Sequence, residues 1–126
     1  MKRMVGVLIG LLLVAACGGG GGGGESVSEE DAVVQMFDNR YEFTEISIPV
    51  GGTVTFVGAG RNPHNAVAAD GSWSTEEVFG SLEQLEGDEA VLTFDEAGEY
   101  VFFCTFHGNA DGDGMAGTLI VAPAGE

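Results

Sequence analysis

Between Ala32 and Val121 the apolar residues come in short runs broken by glycine, proline and acidic residues, and inside the runs they alternate with polar positions. A period of two turns successive side chains to opposite faces of an extended chain, as a half-buried strand requires. Thr53 to Val57 is the clearest case, with Val54 and Phe56 on one side. Phe43 to Val50 repeats the pattern through Ile46 and Ile48, and Pro49 to Gly52 makes the turn between the two runs. Val33 to Phe37 reads as a first strand, Ala90 to Phe94 and Glu99 to Thr105 as later ones, and Thr118 to Val121 as the last. Gly58 to Pro63 is a loop that ends in the brief run His64 to Val67. Ala68 to Glu89 is irregular and acidic, with Trp73 and Phe79 as apolar pins and a helical turn expected at Ser81 to Leu85. No long amphipathic helix breaks the series, so the expectation is an all-β, antiparallel sandwich of about seven or eight strands.

The beginning of the chain has a different texture. Lys2 and Arg3 precede an apolar run, Val5 to Ala16, which has the charged start and apolar middle of an export signal and is short for a bilayer span. Leu13-Val14-Ala15-Ala16-Cys17 resembles the lipobox of prokaryotic lipoproteins, in which the cysteine becomes the lipidated first residue. Three segments follow from this: a signal over 1–16, a lipidated Cys17 with a flexible glycine and acidic tether over 17–31, and one folded domain over 32–126. The resemblance implies an exported protein held by its lipid at the outer face of the cytoplasmic membrane.

Charge narrows the function. Removal of Lys2 and Arg3 leaves Arg40 and Arg61 against 20 carboxylates, two minus twenty, or a net charge of −18. Such a surface excludes nucleic-acid binding. It suits either the steering of a basic redox partner or solubility in a salty environment.

With Cys17 committed, Cys104 is the one free thiol, and an unpaired cysteine in an exported chain calls for a metal or reactivity explanation. His107 and Met115 follow it between two strand-like runs, and His64 is the only other histidine. One thiolate, two imidazoles and a weak thioether form the ligand set of a mononuclear electron-transfer copper site. Read singly, each residue has a structural explanation, and the combination points to a metal.

These residues also carry a family resemblance. Tyr100-x-x-x-Cys104-x-x-His107, followed by Gly114-Met115-x-Gly117, resembles the C-terminal ligand loop of the small blue copper proteins, the cupredoxins. Pro63-His64-Asn65-x-Val67, after Val50-Gly51-Gly52-Thr53-Val54-Thr55-Phe56, resembles the segment bearing their first histidine. Thr93-Phe94-x-x-x-Gly98-x-Tyr100 is similar to their turn between strands. Plastocyanin-, amicyanin- and halocyanin-like members look nearest. The resemblance implies an antiparallel Greek-key β-sandwich holding one type 1 copper ion through His64, Cys104, His107 and an axial Met115. Asn65 would hydrogen-bond across to the other ligand loop. It further implies a monomeric one-electron carrier between membrane-associated redox proteins, not an enzyme; the alternative is a copper-trafficking module or a redox accessory of a copper enzyme.

One departure stands out. The seven residues Gly108 to Gly114 separate His107 from Met115, a longer loop than is usual in that family, so Asp111, Asp113 or a backbone carbonyl competes with Met115 for the axial position. The same loop imitates a calcium motif through Asn109, Asp111, Asp113 and Gly114, but Ile120 stands where a bidentate glutamate is needed. A catalytic copper enzyme needs a second metal site, and His64 and His107 exhaust the histidines. Zinc would accept the same four atoms.

Overall fold

The computed structural model of the chain describes residues 25–124. The expected signal over 1–16, Cys17 and the run Gly18 to Gly24 lie outside the described residues.

Alternation decides which face of each strand is buried. In β2 (Asp31–Phe37) Ala32, Val34 and Met36 point inward, and in β5 (Thr53–Gly58) Val54 and Phe56 do the same. These two strands lie side by side, with the two-residue strand β3 (Arg40–Tyr41) outside β2 and β7 (Glu89–Thr93) outside β5, giving the sheet order β3-β2-β5-β7. The second sheet contains β1 (Ser26–Ser28), β4 (Glu45–Pro49), β6 (Val67–Ala68), β8 (Gly98–Gly108) and β9 (Gly114–Ala122), in the order β1-β4-β9-β8-β6. Ile46, Ile48, Phe102, Leu119 and Val121 of this sheet meet Val34, Met36, Val54, Phe56 and Leu92 of the other in one core. Trp73 plugs that core, stacked on Phe56 with ring centroids 6.1 Å apart and edge-on to Phe94 at 5.1 Å.

The all-β sandwich agrees with the sequence reading, and several details differ. Both sheets are mixed rather than antiparallel: β2 runs parallel to β5, and β4 runs parallel to both β1 and β9. Connectivity permits this: β3 and β4 intervene between β2 and β5, and parallel neighbours need such a crossover because a tight hairpin joins only antiparallel strands. The acidic stretch assigned to the tether starts the sandwich instead, since Ser26 to Ser28 pair with Glu45 to Ser47. Helix forms at α1 (Glu76–Phe79) and not at Ser81 to Leu85, and Phe79 is only half-buried. Among the described residues no helix is long and apolar enough to cross a membrane.

Candidate metal centre

A continuous strand would send Cys104 and His107, three positions apart, to opposite faces. The register between β8 and β9 breaks where they sit. Phe103 pairs with Ala116 and Gly108 with Gly114, so residues 104–107 of β8 face Met115 alone on β9. This bulge turns the excess backbone of β8 outward and lets the cysteine and the histidine converge. Glycine is required where the ladder closes again. Gly114 has φ 74, and a Cβ there would lie 2.4 Å from the His107 carbonyl oxygen.

His64 comes from a separate segment, 40 positions before Cys104. Its backbone makes a two-way bridge with Gln84, His64 N–H to Gln84 C=O and the reverse, both at 3.1 Å. His64 Nδ1 then lies 3.9 Å from Cys104 Sγ, and His107 Nδ1 lies 3.8 Å from the same sulfur. One donor atom from each of the three residues fits within 4.8 Å of the other two. An imidazole nitrogen and a thiolate sulfur on one first-row ion, at about 2.0 and 2.3 Å and about 120° apart, stand about 3.7 Å from each other. The three donors thus hold the spacing of a trigonal metal site, and their chemistry, two borderline nitrogens and a soft thiolate, suits one type 1 copper ion.

Burial around the centre is uneven. His64 and Cys104 are fully buried and Met115 is 1% exposed, whereas His107 is half-buried beside Phe106, which is 46% exposed. Met115 is buried and follows directly on the Gly108 to Gly114 pair, in the register gap opposite residues 104–107. The long loop is folded away as a hairpin tip over 109–113: the Asn109 side-chain oxygen accepts from the N–H groups of Asp111 and Asp113 at 2.9 and 3.3 Å. Asp111 and Asp113 are exposed and stand outside the cluster of metal-binding atoms.

Asn65 joins the two halves of the site. Its Nδ2 donates to Thr105 Oγ1 at 2.8 Å and to the Leu82 carbonyl at 2.9 Å, while its Oδ1 accepts from Thr105 N–H at 3.0 Å. Tyr41 Oη donates to the Asn65 carbonyl at 2.7 Å. Burial, with the Cys104 charge behind it, pushes the Tyr41 phenol well above its ordinary range, so the hydroxyl stays a donor.

Sequence reading missed Asp38. It sits in the turn between β2 and β3, where Asn39 adopts φ 68, and its Oδ1 lies 3.2 Å from His64 Nε2. The Asn62 N–H, at 3.1 Å, the Arg61 N–H and the His64 ring hold this carboxyl at a pKa of about 2. Nothing local in the sequence ties this aspartate to a histidine 26 positions away.

Residues 29–122 match a family model described as copper binding proteins of the plastocyanin/azurin family. Amicyanin of Paracoccus denitrificans is 33% identical over 81 residues, which are 64% of this chain and 61% of that protein. The chain therefore spans about three fifths of that relative's length. Plastocyanin of Scenedesmus fuscus is 34% identical over 86 residues, 64% of this chain and 85% of that one. Among solved structures, a copper-containing nitrite reductase from Thermus scotoductus superimposes with a TM-score of 0.58 at 27% identity, over 72% of this chain and 22% of the reductase.

Proposed function

The chain belongs to the plastocyanin/azurin family of copper-binding proteins, and on that premise we propose that it is a one-electron carrier. His64 Nδ1, Cys104 Sγ and His107 Nδ1 would hold one type 1 copper ion, with Met115 as the weak axial ligand. Bound there, the ion supplies a couple between Cu(II) and Cu(I). The protein's part is to keep the donors still. Cys104 sits on a packed strand, and His64 is pinned by Gln84 on its backbone and by Asp38 on its ring. Asn65 ties one ligand segment to the other. Donors that hold nearly one geometry in both oxidation states leave little to rearrange when an electron passes.

The observation that carries this reading is the pair of distances at Cys104 Sγ, 3.9 and 3.8 Å, to imidazoles from two separate parts of the chain. The half-buried His107 beside exposed Phe106 is the edge through which a partner would exchange electrons. With Arg40 and Arg61 the only cations of the mature chain, that partner would present a basic surface. Cys17 would carry the lipid that holds a monomeric protein at the outer face of the cytoplasmic membrane, on the tether Gly18 to Gly24.

The likeness to nitrite reductase covers a minor part of that enzyme, and both histidines of this chain are engaged at one centre. We therefore read the chain as a carrier with no catalytic metal of its own. The test is an absorption spectrum of the purified, copper-loaded protein before and after ascorbate. An intense visible band that bleaches and returns on reoxidation is expected, and a colourless protein with stoichiometric zinc would overturn the reading.

A further inference from the structure

We propose that Asp38 is a positioning residue for the metal centre, which selects the His64 tautomer that binds metal and, as an anion against that ligand, lowers the reduction potential. This deepens the electron-carrier reading and rests on it for the potential alone. A neutral imidazole offers a lone pair at one nitrogen only, and the nitrogen that carries the proton is decided by what the ring touches. His64 is fully buried, with Nδ1 toward Cys104 Sγ at 3.9 Å and Nε2 toward Asp38 Oδ1 at 3.2 Å. A carboxylate oxygen can only accept, so the proton belongs on Nε2 and the lone pair on Nδ1 faces the site.

The carboxylate is held for this contact from two further directions. The Asn62 N–H reaches the same Oδ1 at 3.1 Å, and Gly60 lets the backbone close over it, since a Cβ at Gly60 would stand 2.2 Å from that oxygen. The side chain keeps 39% of its surface in water, so it remains ionised while one oxygen serves the buried ring. A full negative charge one hydrogen bond from a ligand favours the more highly charged metal state. Replacing that charge by a neutral acceptor must therefore favour Cu(I).

The experiment compares the wild-type protein with Asp38→Asn and Asp38→Ala. In the metal-free forms, nitrogen-15 correlation spectra should show His64 as the Nε2–H tautomer in wild type and in Asp38→Asn, whose amide oxygen can still accept, and a mixture of tautomers in Asp38→Ala. In the copper-loaded forms, the potential should rise in both variants, while the visible band survives in Asp38→Asn and shifts or weakens in Asp38→Ala. A wild-type Nδ1–H tautomer, or an unchanged potential in Asp38→Asn, would overturn the proposal. Tautomers as expected together with no visible band in any form would sink the copper reading and leave the tautomer assignment standing.

Discussion

Asn65 and Thr105, each one residue beyond a metal-facing side chain, exchange two hydrogen bonds: the amide donates to the Thr105 hydroxyl at 2.8 Å and accepts from the Thr105 N–H at 3.0 Å. A clasp between the residues following His64 and Cys104 fixes the distance between the two ligand segments before any ion is present. Asn65→Ala removes it and strips the Leu82 carbonyl of its partner. Leaving such part-buried groups unpaired should cost about 1–2 kcal/mol, read from denaturant unfolding of the metal-free protein. Copper should still bind, more weakly and with a perturbed spectrum. A loss below about 0.5 kcal/mol would mean that the segments are aligned by something else.

Cys104→Ser exchanges the buried sulfur for an oxygen of similar shape. The fold should persist by far-ultraviolet circular dichroism, and the intense visible absorption should vanish on copper addition, because that absorption requires the thiolate. A strong band in the serine variant would remove Cys104 from the site.

The two histidines should differ in a way that their burial dictates. His64→Ala empties a fully enclosed position and unseats the contact with Asp38, so it should cost stability on the order of 2 kcal/mol in addition to copper affinity. His107→Ala, at a half-buried position, should lose copper with a much smaller change in the unfolding midpoint of the metal-free protein. Equal stability losses would contradict the assignment of one ligand to the interior and the other to the rim.

Met115→Leu is close to volume-conserving and should change stability by less than about 1.5 kcal/mol while raising the reduction potential. Asp111→Asn with Asp113→Asn, at the exposed hairpin tip, should leave the shape of the visible spectrum alone. The reverse pattern, a spectral change from the tip and silence from Met115, would assign the axial position to the loop.

The strands that could be read in the sequence were those in which alternation met a buried face. Thr53 to Val57 and Ala90 to Phe94 are of this kind, and the first reappears almost unchanged in β5. Strand direction left no such mark, because a run of alternating residues is the same whether its neighbour is parallel or antiparallel, so the mixed sheets went unread. Ser26 to Ser28 carry too little apolar character to signal a strand and are ordered by the edge of β4. At Ser81 the local chemistry misled: its hydroxyl does accept from Glu83 N–H, as a helix cap would, but Gln84 is drawn into a bridge with His64 and no helix can form. The three donors at the centre of the site were legible because they are scarce residue types in a telling order. Asp38 was one carboxylate among 20, and only the folded turn singles it out.

The uneven burial around the centre also bears on how a metal ion would come and go. His64, Cys104 and Met115 are buried, whereas His107 and Phe106 keep exposed surface, so the approach of an arriving ion would lead past that imidazole and phenyl ring. Loading, chelation and attack by small anions would then use the same face that the proposed redox partner would cover on docking. A docked partner would then act as a lid, and the copper would be safest from theft at the moment the protein is working.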